Sequence, residues 1–463
     1  MIDRMRRNMR HVFWLFFLLF VLTAGYLIKL AVFDARAIAS NPYNKRLGAA
    51  KTDRIPGMVL DRNGNILAES VEVDGIFSRE YPYGRAFAHI LGTRLSKTGV
   101  EANYLFELQK LDMELWQRMD YLLTGRVVEG NTVVTTLDAD LQKAVYELLA
   151  GRRGAVVAIE PSTGRILASV SAPDFPPDAT SNDWAALLAD SADSPLVNRA
   201  AQGLYAPGST FKIVIAAAAI ENELDDFTVT CTGSETFGSH TMRCFDGRAH
   251  GEMTLETAMA VSCNVYFAAL GEKLGADALR ETAERFRFNR ALPYPLEYNV
   301  STFPLPSDAR RDELIETAIG QGRTLATPLQ MALVAATVAN NGLMMNPYIL
   351  DSVQTRDLRV LEKRMPTAAQ TVLDTETAAR LGEMLAGVVQ NGTGAPAQIS
   401  GTPVAGKTGT AQNATGNDHS WFIGYAPADR PTIAIAVLLE ETGGGTSATH
   451  LARQVIEAWL NAD

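Results

Sequence analysis

Seventeen consecutive residues, Val12 to Ile28 (VFWLFFLLFVLTAGYLI), carry no charge, and no other stretch restricts the fold of this chain as strongly. At 1.5 Å per residue a helix of that length spans about 26 Å, and Leu30 to Phe33 extend it past a snorkelling Lys29. A soluble core helix is rarely apolar on every face. Arg4, Arg6, Arg7 and Arg10 precede the run and Asp34 follows it. The positive-inside rule then places residues 1–11 in the cytoplasm, an anchor over residues 12–33, and everything after Phe33 outside the cell. A cleaved signal peptide is the rival, with Ala37-Ile38-Ala39 before Ser40 as its cleavage site. The run is longer than a typical signal core, and that site lies far beyond it. Either reading exports the rest of the chain.

The exported part is long enough for two or three domains with a large core. The net charge of −10 leaves no electrostatic footprint for a nucleic-acid partner. Three cysteines fit a large exported protein that does not depend on disulfides. Cys231 and Cys244 could pair across a loop, and His240 and His250 lie close by in sequence. Their spacing matches no common zinc pattern, so no metal is assigned, and Cys263 is left over.

Two textures follow the anchor. Residues 34–131 are mixed, with turn signals at Arg62-Asn63-Gly64-Asn65 and Lys97-Thr98-Gly99 and helical periodicity over about Val100–Leu123. From Thr132 the pattern sharpens. GAVVAIEPSTGRILASVS (Gly154–Ser171) predicts a hairpin turning at Pro161–Gly164, and WFIGYA with TIAIAVLLEE (Trp421–Glu441) predicts another. Helical patterns fill the space between, as at Thr327–Asn340, and a last helix over about Thr449–Asn461 aligns Leu451, Val455 and Trp459. Strands at both ends with helices between suggest one antiparallel sheet covered by helices.

Three short motifs carry chemistry. In YAPGSTFKIVIAAAAIE, Pro207 and Gly208 break the chain and Ser209 opens a helix that is apolar nearly all round. Ser209 and Lys212 are three residues apart, on one face. A serine hydroxyl needs a base to become a nucleophile, and a lysine can be that base when burial lowers its pKa. Ser262-Cys263-Asn264 sits inside an apolar helical pattern, where polar side chains need partners. Its hydroxyl could relay protons beside Lys212 and its amide could orient a substrate. Lys407-Thr408-Gly409-Thr410 offers a cation, two hydroxyls and a close backbone approach, a set that suits a carboxylate and an oxyanion. Each motif alone is also explained blandly, as a helix cap, a satisfied core pair and a turn.

In order, S-x-x-K, S-x-N and K-T-G form the trio of penicillin-interacting serine enzymes. With it, the chain resembles a compact class B penicillin-binding protein. The likeness extends to RIPGMVLDRNGNILAES (Arg54–Ser70), to GAVVAIEPSTGRILASVSAPDF, to GQGRTLATPLQMALVAATVANNG (Gly320–Gly342) and to HSWFIGYAPADRPTIAIAV. The resemblance implies an α/β (α+β) fold: a β-lactamase-like transpeptidase domain over 132–463, behind a non-catalytic pedestal over 34–131 and one transmembrane helix. It implies a peptidoglycan D,D-transpeptidase without cofactor, covalently inhibited by β-lactams. Ser209 would attack the D-Ala-D-Ala carbonyl of a stem peptide and Lys212 would activate it. Ser262 would carry a proton to the leaving D-alanine, and Asn264 would hold the donor amide. Lys407, Thr408, Gly409 and Thr410 would bind the terminal carboxylate, and the N–H groups of Ser209 and Thr410 would form the oxyanion hole. The expected partners are stem peptides, β-lactams, the membrane and a SEDS-type membrane glycosyltransferase.

Other readings fare worse. GTPVAGKT (Gly401–Thr408) fits the P-loop pattern, but a poor strand precedes it and turn residues rather than a helix follow. A bifunctional synthase needs a glycosyltransferase domain for which the residues before Thr132 are too few. A β-lactamase or D,D-carboxypeptidase shares the trio, but Cys263 stands where the β-lactamase pattern has aspartate, and neither needs anchor and pedestal. A non-catalytic β-lactam-binding sensor or scaffold is a further rival, and intact Ser209 and Lys212 argue against an inactive scaffold.

Overall fold

A computed structural model describes residues 2–30, residues 55–112 except 75, 94 and 95, residues 119 and 123, and residues 129–461 except 414 and 415. One helix runs from Ile2 to Ile28, and its large apolar side chains from Val12 to Ile28 are exposed on every face. It is long and apolar enough to cross a membrane. Residues 31–33 of the expected anchor, and the cleavage-site candidate at 37–40, lie outside the described residues.

In chain order the strands are β1 (Val59–Leu60), β2 (Ile66–Val73), β3 (Ile76–Glu80), β4 (Thr132–Thr135), β5 (Gly154–Ile159) and β6 (Ile166–Ala172). Then come β7 (Val229–Cys231), β8 (Ser234–Phe237), β9 (His240–Arg243), β10 (Gly251–Met253), β11 (Leu343–Met345) and β12 (Leu350–Gln354). The last are β13 (Val360–Lys363), β14 (Ala368–Thr371), β15 (Ala405–Ala411), β16 (His419–Ala426) and β17 (Ile433–Leu439). Five of them form an antiparallel sheet in the order β15-β16-β17-β5-β6, which contains both predicted hairpins.

Both faces of this sheet are covered, which is why β17 reads as an unbroken apolar run rather than an alternating one. Ala434, Ala436 and Leu438 face one core with the helices Lys212–Glu221 and Pro328–Ala339. Ile433, Ile435 and Val437 face another, with the helices Ala139–Leu149 and Ser447–Leu460. Burying an aliphatic side chain stabilises by roughly 1.5–3 kcal/mol, so these two layers hold the sheet between them.

A second, six-stranded sheet was not predicted. Its order is β13-β12-β4-β1-β2-β3, with β1 and β4 parallel and the other pairs antiparallel. It joins strands from before residue 131 to β12 from deep inside the later segment. Asn63-Gly64 turns the chain between β1 and β2, as read from the sequence. The periodic stretch from Val100 resolves into two short helices, Gly99–Asn103 and Leu105–Gln109, and residues 113–118 and 120–122 of it lie outside the described residues. Of Lys97-Thr98-Gly99, expected as a turn before a helix, Lys97 is left-handed, Thr98 is the N-cap and Gly99 is already the first residue of the helix.

One glycine contact ties the segment after the helix Arg311–Ala318 to the turn that precedes the helix Lys212–Glu221. Gly320 has φ +73°, and a Cβ there would lie 2.0 Å from the carbonyl oxygen of Gly208. The same two residues share a hydrogen bond, Gly208 N to Gly320 O, at 2.9 Å. Gly320→Ala is expected to cost at least about 2 kcal/mol, from left-handed strain and backbone overlap together. Denaturant unfolding measures this, and an unchanged midpoint would show that the contact gives way freely.

Candidate active site

Pro207 and Gly208 end an irregular segment, and Gly208 to Phe211 forms one 3₁₀ turn. The α-helix begins at Lys212, not at Ser209 as the sequence suggested. Gly208 at φ +54° is what lets the chain turn into it. In a 3₁₀ turn residues i and i+3 eclipse, so Ser209 and Lys212 share a face more closely than in an α-helix. Ser209 is half-buried while Lys212 is fully buried.

The Lys212 amine has three oxygen neighbours, all from the second motif. It donates to the Asn264 side-chain oxygen at 2.7 Å, to the Ser262 carbonyl at 2.9 Å and to the Ser262 hydroxyl at 3.3 Å. It also lies 5.1 Å from the centre of the Phe267 ring. Burial pushes its pKa down to about 7, while the nearby thiols Cys263 and Cys244 act in the opposite direction.

Ser262 and Asn264 do not lie within one helix. The helix Leu255–Val261 ends at Ser262, which is left-handed at φ +57°, and the helix Asn264–Arg285 starts two residues later. The break turns both polar groups toward Lys212. Such a conformation is costly for a non-glycine residue and persists only where the surroundings enforce it. Asn264 is held from behind, its amide donating to the Arg243 carbonyl at 3.0 Å.

The third motif is β15, the edge strand of the sheet. Its outer row of backbone groups is not used by β16 and faces the Gly208–Phe211 turn. The approach is close: a Cβ on Gly208 would lie 2.3 Å from the Thr410 carbonyl, and one on Gly409 would lie 2.8 Å from the Thr210 methyl. Lys407 is fully buried and donates to the Thr408 carbonyl at 3.0 Å. Burial and the charge of Lys212 push its pKa well below the usual lysine range. The two lysines are therefore electrostatic neighbours, and the three motifs converge on one site. The Thr408 hydroxyl meets that of Thr393 at 2.6 Å, a partner that sequence reading missed because Thr393 sits in an ordinary Gly-rich loop.

Folding also assembles a group that sequence spacing kept apart. Cys231 at the end of β7, Cys244 after β9, His250 before β10 and Cys263 place their ligand atoms within 4.8 Å of one another. Cys231 and Cys244 are not bonded, with sulfurs 3.6 Å apart, and Cys244 and Cys263 are at 3.7 Å. Cys231 Sγ lies 3.5 Å from His250 Nδ1. A tetrahedral ion with metal–sulfur bonds of ~2.3 Å sets its sulfurs about 3.8 Å apart, so three thiols and an imidazole at these distances could hold zinc. A hydrogen bond from Cys263 holds the Cys244 thiol below the usual thiol range, and the same bond with burial holds Cys263 above it. The sequence reading assigned no metal here, since the spacing carries no familiar pattern. Cys263, its leftover cysteine, is the middle residue of the second motif and caps the helix that carries Asn264.

Comparison with known proteins points the same way as the geometry. The penicillin binding protein transpeptidase domain family matches residues 154–457, and the penicillin binding protein A dimerisation domain family matches residues 57–133. The peptidoglycan D,D-transpeptidase PbpA of Mycolicibacterium smegmatis is 35% identical, over 98% of this chain and 99% of that protein. The peptidoglycan D,D-transpeptidase MrdA of Acinetobacter baumannii is 31% identical, over 84% of this chain and 67% of its own length. Penicillin-binding protein A of Mycobacterium tuberculosis, solved as a ceftriaxone acyl-enzyme, superposes with a TM-score of 0.81 at 33% identity, covering 88% of this chain and 98% of that one.

The thiol cluster generates a test of its own. Protein stripped with chelator and supplied with zinc is expected to take up about one equivalent per chain. Cobalt in its place should give the absorption band of thiolate coordination. Cys231→Ser should abolish both, and an unchanged metal content in that variant would exclude the cluster as the binding site.

Proposed function

This chain belongs to the penicillin-binding protein transpeptidase family as a class B member, and from that premise we propose that it cross-links peptidoglycan stem peptides through an acyl-enzyme on Ser209. The observation that supports this most is the buried amine of Lys212. It lies one helical turn behind Ser209, held by Ser262 and Asn264, with a pKa near neutrality.

Lys212 in its neutral form takes the proton of the Ser209 hydroxyl as its oxygen attacks the penultimate D-alanine carbonyl. The carbonyl oxygen becomes an oxyanion, which the backbone N–H groups of Ser209 and Thr410 receive. Ser262 passes a proton from Lys212 to the departing D-alanine nitrogen, and the ester on Ser209 remains. An amine from a second stem peptide then attacks this ester, Lys212 accepts its proton and hands it to the Ser209 oxygen as the ester C–O bond breaks, and Ser209 is released as a hydroxyl with the cross-link made. Asn264 holds the donor amide. Lys407, Thr408, Gly409 and Thr410 receive the terminal carboxylate, whose charge offsets the cost of a buried Lys407 ammonium. A β-lactam enters by the same carboxylate and acylates Ser209. No step calls on a cofactor.

Around this chemistry the chain divides into a cytoplasmic tail (1–11), an anchor (12–33), a pedestal (34–131) and the catalytic domain (132–463), with catalysis outside the cell. A SEDS-type membrane glycosyltransferase is the proposed partner through anchor and pedestal. Hydrolysis of the acyl-enzyme by water is the competing reading, because the same trio serves carboxypeptidases and β-lactamases.

Fluorescent penicillin should give one adduct, on Ser209, and none in Ser209→Ala. No adduct on folded wild type would sink the mechanism. Lys212→Ala should slow acylation by about 10²–10⁴-fold, the range of general-base catalysis. Because only the neutral amine accepts a proton, acylation should rise with pH through about 7 and then level off. With lipid-linked precursors and an active polymerase, cross-linked dimers are expected. Free D-alanine with trimmed peptides alone would favour the hydrolase.

A further inference from the structure

Glu440 lies one residue beyond the end of β17 and is paired with two arginines and a tyrosine. One oxygen accepts from Arg199 Nε at 2.8 Å and from the Tyr205 hydroxyl at 2.6 Å. The other accepts from Arg153 Nε at 3.1 Å. Its backbone N–H donates to the Arg153 carbonyl at 2.8 Å, which fixes it against the start of β5. Arg199 cannot swing away. Its side chain is buried, and its other nitrogens donate to the carbonyls of Ser194 and Asp193 at 3.1 and 2.7 Å. Glu440 is thus a rigid, charged acceptor built on the central strands.

What it holds is the approach to Ser209. Tyr205 lies four residues before Ser209, and its backbone bridges Ala326 in both directions, at 3.0 and 2.8 Å. Its ring stands edge-on to Trp421 and to His419, with centroids 6.2 and 5.5 Å away. Trp421 in turn donates to the Ala206 carbonyl at 3.1 Å, and in register it sits opposite Gly409 of β15. The ring, the indole and the carboxylate therefore meet where the Ser209 turn is laid onto the Lys407–Thr410 strand. Arg199 and Arg153 alone would neutralise Glu440, so charge balance does not require the phenol. The bond to Tyr205 is an addition to a carboxylate already paired.

We propose that Glu440 is a positioning residue for acylation: through the Tyr205 hydroxyl it sets the Tyr205–Ser209 segment at the distance from β15 that nucleophile and oxyanion donors require. The inference rests on Ser209 as the acylated residue. A displacement of about 1 Å in such a segment costs up to about a hundredfold in rate, so one hydrogen bond at its root is enough to matter.

Tyr205→Phe tests this in the full-length, detergent-solubilised protein, since it keeps both ring contacts and deletes one O–H. With fluorescent penicillin and with a thioester analogue of the donor peptide, acylation and kcat are expected to fall about tenfold or more while KM and the melting temperature hold. Glu440→Gln should show a loss that Tyr205→Phe does not deepen in the double variant, because the phenol acts only through the carboxylate. Should Glu440→Gln fail to fold, the kcat-against-KM split of Tyr205→Phe decides alone. Wild-type rates in Tyr205→Phe, or losses that multiply in the double variant, would overturn the proposal. Failure of wild type to form any Ser209 adduct is a separate result, which removes the nucleophile and this inference with it.

Discussion

The arrangement depends first on keeping the amine of Lys212 out of water. A buried ammonium is costly unless it is surrounded by acceptors, and a buried amine without partners would be costly too. The protein meets both conditions with oxygens from one short turn, the Ser262 carbonyl and hydroxyl and the Asn264 amide oxygen. This explains why the turn interrupts what would otherwise be one continuous helix. It also explains why Ser262 accepts a left-handed backbone. The balance between burial and acceptors leaves the amine near neutrality at physiological pH, able to hold or release one proton.

The same economy governs the relation between the helical layer and the sheet. The Gly208–Phe211 turn packs against β15 with no room for side chains at Gly208 and Gly409. Close packing of this kind transmits displacement, because interiors have little free volume to absorb it. The site is therefore a contact between two rigid layers. The thiol–imidazole cluster sits at its edge, with Cys263 inside the second motif and Arg243, beside Cys244, holding Asn264. The Glu440 network holds Tyr205, four residues before Ser209.

Much of this was legible in the sequence. Both hairpins of the five-stranded sheet, the helices Pro328–Ala339 and Ser447–Leu460, and the Asn63-Gly64 turn follow from periodicity and turn chemistry, which are local. The six-stranded sheet was not legible. Its β1 is two residues long and its β4 four, and β12 reaches them from more than two hundred residues away. Short strands give no period to read, and pairing partners at that distance leave no local trace. The helix start was misplaced by three residues because a 3₁₀ turn, here Gly208–Phe211, uses the same letters as an α-helix opening.

By itself the sequence determined one long apolar helix near the start of the chain, a β-rich frame with helical cover, and three motifs whose order carries the chemistry. These depend on residue type, spacing and local preference, which act along the chain. Only the tertiary structure decided that Ser262 and Asn264 reach one amine, that Lys407 lies close enough to feel Lys212, that four cysteine and histidine side chains share one centre, and that Glu440 reaches Tyr205. Those are electrostatic and packing relations between distant residues. They exist only once burial has removed the water that would otherwise screen and satisfy each group separately.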